Sequence, residues 1–239
     1  MIEALEFKNL LLSSLTERDL AAIVAFLEPV PLTKLLSLET ANTSIEYLYF
    51  PESGIASTVA RISPTREIEV GFTGREGVTG TAIILGSVST PHDCYVQVQG
   101  HGHRIPAAQL SRLMVESKSL SASMLSYVNS FVIQVAATAQ ANAVVKLQNR
   151  LARWLLMIHD RADGDTFAIT HDFLSIMLGA RRPGVTVALQ EFEGENWLKA
   201  GRGRVTILNR QALIECAGKS YGLPEREYRR LLGAGFSKD

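Results

Sequence analysis

Cysteine is nearly absent from this sequence: Cys94 and Cys216 are the only two in 239 residues. Two thiols build neither a disulfide scaffold nor a four-cysteine metal site. Net charge is missing as well, with 24 basic side chains against 24 acidic. No apolar run approaches the ~20 residues of a membrane-spanning helix. Met1–Leu20 lacks the basic start and apolar stretch of a secretory leader. There is no internal repeat, no low-complexity stretch, no Gly-rich phosphate loop, no zinc signature and no nucleophile elbow. What is present is ordinary: 46% hydrophobic and 20% charged residues, enough apolar material to form a core. These features predict a reduced, soluble, cytoplasmic protein with one large domain or two modest ones.

The zero net charge hides an asymmetry. Residues 1–140 carry 9 basic and 13 acidic side chains, whereas residues 141–239 carry 15 basic and 11 acidic. An acidic front and a basic back point to two jobs. In the front half, Thr16 is placed to cap a helix containing Leu20, Ile23, Val24 and Leu27, which Pro29 and Pro31 end. From Ile45 the period changes. Tyr47–Phe50, Ile55–Val59, Ile68–Phe72 and Tyr95–Val98 are short runs rich in β-branched and aromatic residues. Turn signals at Pro51–Gly54, Ser63–Thr65 and Gly100–Gly102 separate them. That spacing predicts a sandwich, roll or barrel rather than a parallel sheet. A short helix from Pro106 to Val115 follows, and then a long one over Leu120–Ala141 without Gly or Pro. Its apolar positions Leu120, Met124, Tyr127, Val128, Phe131 and Val135 form one stripe, which suits packing on its own domain or a seam between two subunits.

The back half carries the most specific pattern. Thr170 is placed to cap a helix through Leu178, Gly179 supplies the tight turn, and Pro183 sits in the first turn of a second helix. Leu174, Leu178, Ala180, Val185 and Ala188 fall where the inward face of two crossed helices lies, and Ser175 is the small residue expected near the crossing. Gly201-Arg202-Gly203-Arg204 then reads as a basic hairpin entering a strand. Together these segments predict a winged helix-turn-helix.

The order of parts resembles the Crp/Fnr superfamily of bacterial transcription regulators, over roughly 10–217 and most specifically over Ile169–Leu208. The resemblance implies an α+β chain: a jelly-roll-like β-roll sensor domain over 1–116, a long dimerisation helix over 117–143 and a winged helix-turn-helix domain over 144–239. It also implies a homodimer, an effector-gated switch and a two-fold symmetric double-stranded DNA site, with RNA polymerase as a further partner. Arg182 matches the family arginine that reaches a guanine edge. Pro183 and Val187 replace an acidic and a second basic reader, so the sequence preference differs. Arg181, Thr186 and Gln190 are candidates for the remaining base contacts, and Thr170, His171, Arg202 and Arg204 for phosphates.

The sensor half departs further from that family. Its cyclic-nucleotide binders place a glycine-glutamate pair on the ribose and an arginine on the phosphate. Gly80-Thr81 and His92-Asp93-Cys94 stand in those places here. The pocket candidates are Arg75, Glu76, Thr79, Thr81 and His92, and an effector other than cyclic AMP is expected, its identity unknown. An oxygen-sensing iron–sulfur cluster lacks its cysteines. Haem through His92, His101, His103 or Cys94, a Cys94 redox sensor and a His92/Cys94 catalytic pair are each weighed below the regulator. No cofactor, metal or enzymatic activity is expected. Two further readings stand beside the gated regulator. One is a regulator that binds DNA constitutively, and the other an interaction module that has lost DNA affinity. A terminal helix over Lys219–Leu232 has no assigned role.

Overall fold

The computed structural model describes residues 6–63, 66–233 and 235–236. Two short helices, α1 (Leu10–Ser13) and α2 (Glu17–Val24), precede strands β1 (Glu28–Leu32), β2 (Ser37–Glu39), β3 (Tyr47–Pro51), β4 (Ile55–Ser63) and β5 (Arg66–Thr73). Helix α3 (Thr81–Ile84), β6 (Asp93–Val98) and β7 (Gly100–Pro106) complete the roll. Its two antiparallel sheets run β1-β7-β3 and β2-β6-β4-β5. Thr16 caps α2 as expected, accepting from the Asp19 N–H at 3.2 Å. Pro29 and Pro31, expected only to end that helix, lie within β1. This is an edge strand, where a missing N–H breaks no ladder. The glycines expected to form a turn at 100–102 instead begin β7. A Cβ at Gly100 or Gly102 would strike the backbone of Ser53 or Phe50, so they mark close strand approach. The turn expected at Ser63–Thr65 falls on residues 64–65, outside the described residues.

Helix α4 (Ala107–Glu116) leads to α5 (Lys118–Val144), and α6 (Leu147–Arg161) follows after the extended pair Val145–Lys146. No charged side chain occurs between Lys118 and Lys146. Among the described residues α5 is the one helix long and apolar enough to cross a membrane by length and composition. This corrects the sequence reading, in which scattered Ser, Asn and Gln hid the run. One face of α5 is spent within the chain. Leu120, Met124, Tyr127 and Val128 are buried in the roll's core, and Phe131 and Val135 press on Gly71 of β5.

The winged part comprises β8 (Thr166–Ala168), α7 (His171–Met177), α8 (Arg182–Gly194), β9 (Leu198–Gly201), β10 (Arg204–Ile207) and α9 (Arg210–Ala217). Its strands form a sheet in the order β8-β10-β9. The apolar cluster around Trp154, Leu155, Leu174 and Val185 also takes in Ile55 and Phe72 of the roll. The segment expected as a terminal helix begins as a 3₁₀ turn (Gly218–Ser220) and continues as α10 (Leu223–Leu232). Tyr228 and Phe236 are buried in the roll's own cluster, so α10 leaves the winged part and returns to the roll.

Candidate nucleic-acid interface

Helices α7 and α8 meet through Leu178–Arg181. Thr170 caps α7, its hydroxyl accepting from the Phe173 N–H at 3.3 Å. Gly179 adopts φ +56°, and a Cβ there would also lie 2.9 Å from the Ile68 side chain. The turn therefore needs glycine for its conformation and for its contact with the roll. Pro183 lies in the first turn of α8, where its missing N–H costs no helical bond. Leu174, Met177, Val185, Ala188 and Leu189 lock the two helices inward. Ser175, expected at the crossing, instead bonds back to the Asp172 carbonyl and lines a groove facing the roll.

An open cleft of about 510 Å³ lies between the start of α7, the outer face of α8 and the wing turn. Thr170, His171, Arg182, Gln190 and Arg202 line it, together with Asp172. Two cross-links order the cleft. The Arg182 Nε stands 3.0 Å from Asp172 Oδ1, with both side chains mostly exposed. His171 Nδ1 and Thr186 Oγ1 share a hydrogen bond of 2.9 Å. Val187 is 51% exposed on the same helix, and Gly203 turns the wing at φ +72°. Most of the predicted DNA-facing residues thus share one face. Arg204 is exposed on β10 beside Gly201, whereas Arg181 lines the groove between the turn and the β4–β5 hairpin. Sequence reasoning missed Asp172; the signal was an acid in the first helical turn within reach of an arginine across the turn.

The predicted effector residues are spread over separate local contacts. The Arg75 Nε donates to the Arg161 carbonyl at 2.9 Å and its Nη2 pairs with Asp163 at 2.7 Å. Glu76 is buried against Arg161 at 2.8 Å. Thr79 is buried and accepts the Tyr49 N–H, Thr81 begins α3, and the His92 N–H donates to Thr90 Oγ1. Two carboxylates take backbone N–H groups at the segments expected to meet a nucleotide. Glu39 accepts the Gly80 N–H at 2.7 Å, and Asp93 accepts the Ala41 N–H while pairing with Arg61 at 2.7 Å. Burial pushes the Glu39 carboxyl up. The Cys94 thiol is also pushed well up by burial and by Glu39, the reverse of an activated nucleophile. His101 bonds Ser53, and His103 lies by Glu52. Among the described residues no His, Cys, Asp and Glu cluster could hold a metal.

A β-roll, a long helix and a winged helix-turn-helix in one chain define the fold of Crp/Fnr regulators. Residues 149–216 match the family described as the Crp-like helix-turn-helix domain. The same fold occurs in a Crp/Fnr-family transcriptional regulator from Eubacterium rectale, 20% identical, with a TM-score of 0.67 over 87% of this chain and 97% of that one. FixK2 from Bradyrhizobium japonicum is 15% identical, with a TM-score of 0.70 over 80% of this chain and 98% of that one. The c-di-GMP-responsive global regulator CLP from Xanthomonas campestris is 16% identical, with a TM-score of 0.61 over 80% and 99%. The first and third of these are described as regulators. No curated protein matches the sequence.

Proposed function

We propose that the protein is a homodimeric, sequence-specific DNA-binding transcription regulator of the cytoplasm, gated by an effector other than cyclic AMP. The carrying observation is the cleft that gathers Thr170, His171, Arg182, Gln190 and Arg202 beside a glycine-turned wing. A guanidinium at the start of α8 suits a guanine edge in the major groove, and the wing arginines suit the flanking phosphates. The carboxylates Glu39 and Asp93 support the exclusion of cyclic AMP, because a buried phosphate needs a cation or several free N–H donors.

Dimerisation rests on the face of α5 that the chain leaves open. Ala122, Leu125, Asn129, Val132, Ala136, Ala139 and Ala143 recur at alternating steps of three and four, and all are exposed. This is a heptad seam without a charge on it, and a second copy of the helix is the occupant that such a repeat fits. The predicted stripe of Leu120, Met124, Tyr127, Val128, Phe131 and Val135 lies on the other side, against the roll. The engagement of Arg75 and Glu76 within the chain favours a second reading, DNA binding without a small-molecule effector.

Fluorescence anisotropy with labelled duplexes tests the main reading. An operator would be selected from random DNA and titrated at two salt concentrations against an unlabelled random competitor. Competitor-resistant binding that weakens steeply with salt is expected. Equal displacement by random DNA would refute specific reading. A response to added small molecules would separate the gated regulator from the constitutive one.

A further inference from the structure

The loop Gly74–Gly77 of the roll is where three parts of the chain meet. Arg161, the last residue of α6, is 2% exposed there. Its Nε lies 2.8 Å from Glu76, its Nη1 donates to the Met157 carbonyl at 2.7 Å, and its guanidinium sits over the rings of Phe72 and Phe236. Tyr228 of α10 donates its hydroxyl to the Glu76 carbonyl at 2.6 Å. The Tyr127 ring covers Gly77, where no Cβ would fit. Glycine at 222, with φ +97°, turns the chain into α10 and sends it across the joint between the winged part and the roll. The winged part is therefore held twice. Gly179, Phe173 and Met177 rest on Ile68, Tyr95 and Ser57 of the roll, and α10 ties its far end to α5 and Glu76.

One residue of this tie works against it. Glu225, in the first turn of α10, is 7% exposed, and neither carboxylate oxygen accepts a hydrogen bond from another residue. Arg161 and Arg153 attract its charge, but Asp160 repels it, and Arg161 already serves Glu76. A buried carboxylate with no hydrogen bond from a neighbouring residue costs free energy that good packing must offset. We propose that α10 with Phe236 is a releasable strap: docked, it fixes the helix-turn-helix on its own roll; undocked, it lets the winged part pivot about Val145–Lys146. This goes beyond DNA reading, since it concerns how the reading domain is held, and its test uses no DNA.

Met177 reports the joint, because it is 2% exposed and its sulfur faces Ser57 of the roll at 3.9 Å. Met157 and Met124, equally buried in the winged and roll cores, serve as internal controls. Hydroxyl-radical footprinting of the full chain would compare the three. Tyr228→Phe removes one strap hydrogen bond while keeping the ring, and is expected to raise Met177 oxidation about five- to tenfold with the controls unchanged. Glu225→Gln removes the unpaired charge and is expected to lower it. Unchanged Met177 in both variants would overturn the proposal. So would all three methionines rising together in Tyr228→Phe, because α10 would then be a plain part of the core.

Discussion

At the scale of single residues, the pairing of Arg182 with Asp172 decides what the arginine can do. Asp172 takes the Nε edge and leaves the two terminal nitrogens to meet O6 and N7 of a guanine. Arg182→Ala is expected to cost about 1–3 kcal/mol on the selected operator and to relax preference at one base pair. Asp172→Ala should lose part of the same discrimination while leaving the salt slope unaltered, since no phosphate contact is removed. A uniform loss over all sequences would instead make Asp172 a plain surface acid. The second residue to single out is Glu69. It is buried between the Ser57 hydroxyl and the Trp154 indole N–H, at 2.6 and 2.9 Å. Burial pushes its carboxyl up to about 7, against these bonds and the charges of Arg153 and Arg161. The unfolded chain releases the same proton near 4.5, so the folded state binds more protons between these values. Its contribution is therefore most favourable below about pH 4.5 and is lost as pH rises to about 7. Glu69→Gln should gain in Tm relative to wild type as pH is raised from about 5 to 8; parallel melting curves would refute the assignment.

At the scale of elements, the proposed dimer asks α5 to serve two partners with two faces. Val132, 55% exposed, lies in the middle of the open heptad seam. Val132→Glu would set two desolvated carboxylates near each other across a two-fold axis. It should weaken the dimer about 100-fold or more by light scattering, with the roll intact. Met124→Glu, on the covered face, should unfold the roll instead. Asn129→Leu tests the seam from the other side: a polar residue in such a repeat fixes register, so its loss should tighten association and admit larger oligomers. The contrast also explains how far the sequence could be read. Helix-turn-helix and wing were legible because Gly179, Pro183 and the glycine-flanked arginines announce backbone geometry locally. The long helix was legible too, but not the use of its faces. Two apolar stripes run along it, and only the position of Gly71 and the roll core decides which one is spent inside. Strands β1 and β7 were hidden for a similar reason: their prolines and glycines are permitted by an edge position and by close strand approach, both tertiary facts. The joint at Arg161 and Glu225 left no local signal, since it joins residues 76, 161 and 225 across the whole chain.

At the scale of the whole molecule, the charge asymmetry and the docked strap act in the same direction. In the proposed regulator the basic back half, 15 cationic side chains against 11 acidic, would turn toward DNA, and the acidic front would be repelled by it. The seam along α5 would give two recognition helices related by a two-fold axis, and the strap holds each on its own roll. Two rigidly held readers demand a fixed spacing, because each must meet a major groove on the same side of the duplex. Half-sites should therefore lie about 10 base pairs apart, centre to centre. Inserting about 5 base pairs between them turns the second half-site to the opposite face. Affinity for such an operator should fall to that of a single half-site, whereas an insertion of about 10 should restore part of it. The strap variants sharpen this experiment. Tyr228→Phe, with the winged part freed to pivot, should tolerate the 5-base-pair insertion better than wild type. Equal tolerance of both spacings by the wild-type dimer would mean that the two reading domains are not held at all, and that neither seam nor strap sets the operator.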